Sequence, residues 1–314
     1  MAKREFGYDF SSILGSVLMG SIAVLGFFMI IQTVFGANIS TSVIVGNASP
    51  SVTSVVLNNG TAITLTENAT TAIRINFTVT DNNGCGDAFF NGGTTTTVFR
   101  AAAGAACTAS NLNCYIVSTS THNCPSALST TTSANATATV EIYYFADATD
   151  SSSSYPAQDW VASVSVKDSA AASNSATSTH RELNTLTAIN ITTTSINYGS
   201  VSAGTDTGAT NQTATTTNAG NSSTTLQLRA SATLVSGSNS IATTSQRYAT
   251  SSFTFAGGAT QLTESNVTVT SFLLLTPTST TNVSKTSFWG LEVPSGTATG
   301  TYSGTTVFSA LFQP

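Results

Sequence analysis

The chain has 314 residues, of which only 9 are Lys or Arg and 14 are Asp or Glu, so 7% are charged and the formal net charge is −5; an ordinary soluble domain is roughly 25% charged. Ser and Thr, 103 residues together, take the place of charge. Such a chain lacks the basic face that a nucleic-acid partner requires, and two His and four Cys give thin means for catalysis, so an enzyme is not expected. The 40% apolar share is ordinary, and a packed core is expected.

The first predicted element is apolar. Ile13 to Ala37 carries no charge, and at about 1.5 Å per residue it outspans a hydrocarbon core of roughly 30 Å. A transmembrane helix or signal anchor is predicted over 13–37. Lys3 and Arg4 place residues 1–12 in the cytoplasm and the body outside, as a single-pass cell-surface protein. A cleavable signal has a shorter apolar region, about 7–15 residues, and leaves a secreted form as the alternative.

Beyond Asn38 the pattern alternates. Ser51–Leu57, Thr71–Asp81, Thr137–Phe145 and Trp160–Asp168 place Val, Ile, Phe, Tyr or Trp at period two with Thr, Ser or charge between, the mark of strands buried on one face. The apolar pattern breaks at Ala170–Thr179. A second series follows at 188–192, 213–218, 224–234, 266–275, 287–293 and 300–312. The fold class predicted is all-β: two tandem immunoglobulin-like antiparallel β-sandwiches, over 48–180 and 187–314, after one N-terminal transmembrane helix. Thr, with high β propensity, is expected on the outward faces. The turn Asn218-Ala219-Gly220-Asn221 reads as one that needs positive φ at its glycine. Trp160 and Trp289 sit in strand patterns and are expected in the core.

Cys85, Cys107, Cys114 and Cys124 all fall in the first domain. An even number in an exported chain, with no Cys-x-x-Cys, predicts two disulfides of three possible connectivities. If 94–100 and 114–118 pair as a hairpin, Cys107 and Cys114 lie at its tip and Cys85 and Cys124 at its base, which favours Cys85–Cys124 with Cys107–Cys114. No catalytic or cofactor-binding residues stand out. Asp81, Asn83 and Asp87 form an oxygen-rich loop, and Asp147, Asp150 and Asp159 another; either is a calcium candidate if carbonyls complete the shell, and otherwise a solvated turn. Asn38, Asn47, Asn59, Asn68, Asn76, Asn135, Asn190, Asn211, Asn221, Asn266 and Asn282 each open an Asn-X-Ser/Thr sequon, candidate glycosylation sites in an exported glycoprotein.

Asn83-Gly84-Cys85-Gly86-Asp87, Asn113-Cys114-Tyr115, the strand from Asp159-Trp160 to Lys167-Asp168, Tyr198-Gly199, the 218–221 turn and Gly300-Thr301-Tyr302-Ser303-Gly304 together resemble tandem immunoglobulin-like surface proteins of ultrasmall candidate-phyla bacteria and reduced archaea. The resemblance implies a cell-envelope protein of a surface layer. The expected role is a structural coat formed by lateral self-association as a homo-oligomer or lattice. An adhesin presenting first-domain loops to a host-cell or envelope partner is the alternative, and a pilin-like filament subunit built on the apolar N-terminal helix is a third reading.

Overall fold

The structure, a computed structural model, describes residues 39–281 and 283–313. The expected span at 13–37, with the sequons at Asn38 and Asn282, lies outside the described residues. Among the described residues no helix is long and apolar enough to cross a membrane. The chain divides into two units, Met1–Gly46 and Asn47–Pro314. In the first, Ile39–Gly46 has neither helix nor strand, and Ile39, Val43, Ile44 and Val45 are highly exposed.

The second unit is all-β and sandwich-like. Its first half comprises β1 (Ser51–Leu57), β2 (Thr70–Thr80), β3 (Gly93–Arg100), β4 (Cys114–Val117), β5 (Thr121–His122), β6 (Ser133–Tyr143), β7 (Trp160–Lys167) and β8 (Ser173–Thr177). They form two four-stranded antiparallel sheets, β1-β2-β6-β5 and β4-β3-β7-β8. Alternation explains the layering: Ile73, Ile75, Phe77 and Val79 of β2 and Ala138, Val140 and Ile142 of β6 meet Val98 of β3 and Trp160, Val164 and Val166 of β7 in one core. Trp160 is fully buried, and its Nε1 donates to the Asp147 carbonyl at 2.9 Å.

The second half comprises β9 (Ile189–Ile191), β10 (Thr205–Asp206), β11 (Gln212–Asn218), β12 (Ser223–Ala230), β13 (Leu234–Ser236), β14 (Asn239–Ile241), β15 (Gln246–Ala249), β16 (Thr260–Gln261), β17 (Val267–Leu274), β18 (Ser284–Val293) and β19 (Thr306–Gln313). One sheet runs β16-β15-β18-β11-β9 with β10 also on β18, the other β17-β12-β19, and β13 and β14 form a hairpin. Leu226 and Leu228 of β12, Phe272 and Leu274 of β17 and Trp289 of β18 share its core. Among the described residues, no strand of 51–177 pairs with one of 189–313.

Ala170–Thr179, where the apolar pattern breaks, follows the turn that starts at Asp168 and carries β8, an exposed strand that pairs with β7 from Lys167↔Ser173 to Ser163↔Thr177. Two expectations change. Gly220 is not among the positive-φ residues. Its constraint is close approach, because a Cβ there would stand 2.0 Å from the Leu186 carbonyl oxygen. Thr also departs from the outward faces: Thr96, Thr97, Thr216, Thr217 and Thr224 are buried, where Thr has nearly the shape of Val but brings a hydroxyl.

Candidate functional site

The registers Ser51↔Thr80, Thr80↔Ser133, Gly93↔Lys167 and Lys167↔Ser173 bring the start of β1, the end of β2 and the β7–β8 turn to one end of the first half. Three carboxylates meet there. Asp81 follows β2, Asp87 opens a five-residue π turn (Asp87–Asn91) and Asp168 follows β7; one oxygen from each lies within 4.8 Å of the others. The group is therefore able to hold a metal ion.

The loop carrying Asp81 and Asp87 is pressed tightly against its neighbours. A Cβ on Gly84 would stand 2.1 Å from the Ser129 carbonyl oxygen, and one on Gly86 2.4 Å from that of Ala127, so both positions require glycine. The Cys85–Cys124 disulfide fastens the same loop; the second bridge is Cys107–Cys114, beside the β3–β4 hairpin. Asn83 serves as a scaffold: its N–H donates to Asp81 Oδ1 at 2.8 Å, and its Oδ1 accepts the Ala48 N–H at 2.6 Å. Asp168 Oδ1 accepts the Ala172 N–H at 2.8 Å, its Oδ2 accepts Asn47 Nδ2 at 2.9 Å, and Asp87 Oδ1 accepts the Ser169 N–H at 3.3 Å. Asp81 Oδ2 is buried with no hydrogen-bond partner. Asp168 is the member that sequence reasoning missed, since 81 residues of chain separate it from Asp87.

The other acidic loop does not converge. Asp147 pairs with Arg100 at 3.0 Å, Asp150 accepts the Thr185 N–H at 2.7 Å, and Asp159 lies 3.3 Å from His180. These are structural partners, so the calcium reading fails for that loop. His122 is stacked on Phe89 with Phe90 at its edge. Of the sequons, Asn47, Asn59, Asn68, Asn135, Asn190 and Asn266 are exposed, and Asn76 is half-buried. Asn211 and Asn221 are excluded as glycan acceptors in the folded chain: Asn211 Nδ2 is enclosed, and Asn221 Nδ2 is committed to the Ala146 and Asn184 carbonyls. A large open cleft of about 1330 Å³ in the second half is lined by Tyr198, Tyr302 and neutral residues, with no Asp, Glu, His, Lys or Arg in its wall.

Burial, with like charge from Asp87 and Asp168, raises the Asp81 carboxyl above its ordinary 3.8 despite the Asn83 hydrogen bond, and burial likewise raises Asp147 despite Arg100. A raised carboxyl makes the folded state the better proton binder, so stability grows as pH falls from neutral through the raised values and levels off near 3.8. Asp150 acts in the opposite sense: although burial raises it, hydrogen bonds from Thr185 and Ser152 bring it below 3.8, so its contribution is lost only on further acidification. Without divalent cations, the thermal midpoint is expected to rise between about pH 7 and about pH 4.5. Asp81→Asn should flatten that rise, and a midpoint that falls steadily over the window would contradict the assignment.

No protein-family model matches the sequence, and comparison with curated proteins finds no match. Among solved structures, dimeric latent PorU from Porphyromonas gingivalis aligns over 88% of this chain at 11% identity with a TM-score of 0.26. This chain spans 21% of the PorU chain.

Proposed function

We propose that the protein is a structural component of the cell surface: a membrane-anchored chain whose two tandem immunoglobulin-like halves associate laterally with other copies in a coat. The observation that carries this reading is β19. It pairs with β12 along its whole length, from Thr306↔Ala230 to Gln313↔Ser223, while its other edge has no partner strand among the described residues. Soluble proteins usually guard such an edge with charge, proline, a bulge or a covering loop. The sequence TVFSALFQ carries neither charge nor proline, and its register is unbroken. The exposed, uncharged stretch Ile39–Val45 adds apolar surface of the same character. Two disulfides suit an oxidising extracellular setting.

Val307, Ser309 and Leu311 lie opposite Arg229, Gln227 and Thr225, on the face away from Leu226 and Leu228. Ser309→Lys with Leu311→Lys therefore charges the edge without entering the core. Electron cryotomography of cells is expected to show periodic arrays for the natural chain and dispersed molecules for the variant, at equal expression and folding. Arrays unaffected by the two lysines would exclude this edge as the lateral contact. A sparse, unordered distribution of the natural chain would favour the adhesin instead.

A further inference from the structure

We infer that Asp81, Asp87 and Asp168 form a calcium site that locks the entry of the chain into the body.

Two features distinguish this cluster from an ordinary acidic turn. First, Asp81 and Asp168 are each 2% exposed, so their charges are largely removed from water. No Lys, Arg or His among the described residues forms an ion pair with any of the three carboxylates. Like charges at such separation are mutually unfavourable in a poorly solvated site unless a cation or a proton intervenes. Second, Asp81 Oδ2 is buried and has no hydrogen-bond partner, in a carboxylate whose close neighbours are those of Asp87 and Asp168. Buried acceptors are otherwise almost always satisfied.

The donor set is all oxygen, which selects a hard cation. Calcium–oxygen distances of about 2.3–2.6 Å let one ion touch oxygens up to about 5 Å apart on opposite sides, and the three atoms here lie within 4.8 Å of one another. Magnesium demands near-ideal octahedral geometry at about 2.0–2.1 Å, whereas calcium accepts irregular oxygen shells, and each of these carboxylates is already held in place by a backbone N–H. Calcium is thus the better fit.

The position of the site gives it a role. Asn47, the first residue of the body, donates to Asp168, and the next residue, Ala48, donates to Asn83, which in turn holds Asp81. An ion shared by Asp81, Asp87 and Asp168 would join the β2 end, the π turn and the β7–β8 turn, the elements to which Asn47 and Ala48 are fastened. Under the proposed surface role, calcium outside the cell would stiffen this end of the body, where Asn47 and Ala48 are fastened. The site itself does not depend on that role.

The test uses the full chain in detergent micelles and calcium chloride as the probe. Isothermal titration is expected to give one calcium per chain, with a Kd of about 0.1–1 mM as in extracellular modules, and magnesium binding at least about tenfold weaker. Thermal unfolding should shift upward with calcium. Asp81→Asn and Asp168→Asn should each lose calcium binding and the shift, whereas Glu264→Gln, on an exposed residue, should keep both. Asp81→Asn should also fold at least as well as the natural chain without calcium, because it removes repulsion and supplies a donor to Asp87 and Asp168. Absence of binding at millimolar calcium, equal affinity for magnesium, or unchanged binding by the Asp81 and Asp168 variants would each overturn the proposal. Millimolar calcium that changes neither the stability at neutral pH nor the size of its rise on acidification would show that a proton, not an ion, relieves the repulsion there.

Discussion

Replacing Asn221 with Ala is expected to lower the unfolding free energy by about 2–4 kcal/mol, because one side chain satisfies three backbone groups, one buried and two half-buried. Asn221 is 7% exposed. Its Oδ1 accepts the Leu186 N–H at 2.6 Å, and its Nδ2 donates to the carbonyls of Ala146 at 3.1 Å and Asn184 at 3.2 Å. Ala146 belongs to the first half of the body, Leu186 to the connector and Asn221 to the second half, so these bonds hold the halves together. The Asn68 N–H adds a bond to the Ala219 carbonyl at 3.0 Å in the same turn. Truncation leaves one N–H and two carbonyls unpaired at about 1–3 kcal/mol each at most. Asn221→Asp should also destabilise, since it keeps the acceptor for Leu186 but sets carboxylate oxygen against two carbonyls. Gly220→Ala tests the same junction sterically: the new methyl meets Leu186 O at 2.0 Å and Ala188 N at 3.0 Å, for a cost of about 1–3 kcal/mol or more. Denaturant unfolding of each variant measures these losses, and separation into two transitions would show that the junction couples the halves. A loss below about 1 kcal/mol for Asn221→Ala would mean that water replaces the amide.

The long strands were legible because each buries one face and keeps the other wet, as in Thr70–Thr80, where Ile73, Ile75, Phe77 and Val79 alternate with polar residues. β8 was not legible for the converse reason. Ser173–Thr177 lies at a sheet edge with four of its five residues exposed, so nothing selects an apolar alternation there; its strand form is imposed by β7 and the tight turn at Asp168–Ala172. Thr was legible as a strand former but not as inside or outside. Thr216 and Thr217 are adjacent and both buried, which no period-two rule anticipates. At the acidic site, Asp81 and Asp87 could be found by spacing because one loop carries both. Asp168 reaches them only through the pairing of β3 with β7 and β7 with β8, a long-range fact that local spacing does not contain. The Asn-Gly-Cys-Gly-Asp run was visible as a motif, but the need for its glycines lies in backbone 40 residues or more downstream.

Removing the Cys85–Cys124 bridge should cost more than removing Cys107–Cys114, although each is one disulfide. The first closes a separation of 39 residues and the second one of 7. Constraint of the unfolded chain grows with the logarithm of loop length, giving about 4 kcal/mol for the first and about 2.5 kcal/mol for the second. Native packing acts in the same direction. Cys85 is fully buried beside Cys124, Ala134 and Phe89, and its N–H donates to the Thr131 carbonyl at 2.7 Å, so Cys85→Ala with Cys124→Ala also loses buried sulfur contacts. The paired variants Cys85→Ala/Cys124→Ala and Cys107→Ala/Cys114→Ala, unfolded in denaturant beside the natural chain, separate the two contributions. A difference near 1.5 kcal/mol is the chain-entropy value; a larger one assigns the excess to packing around the 84–86 loop. Equal losses would contradict both. The longer bridge also fastens the loop that presents Asp81 and Asp87. Its removal should therefore weaken calcium binding, whereas the shorter bridge, at the far end of β3, should leave it unchanged.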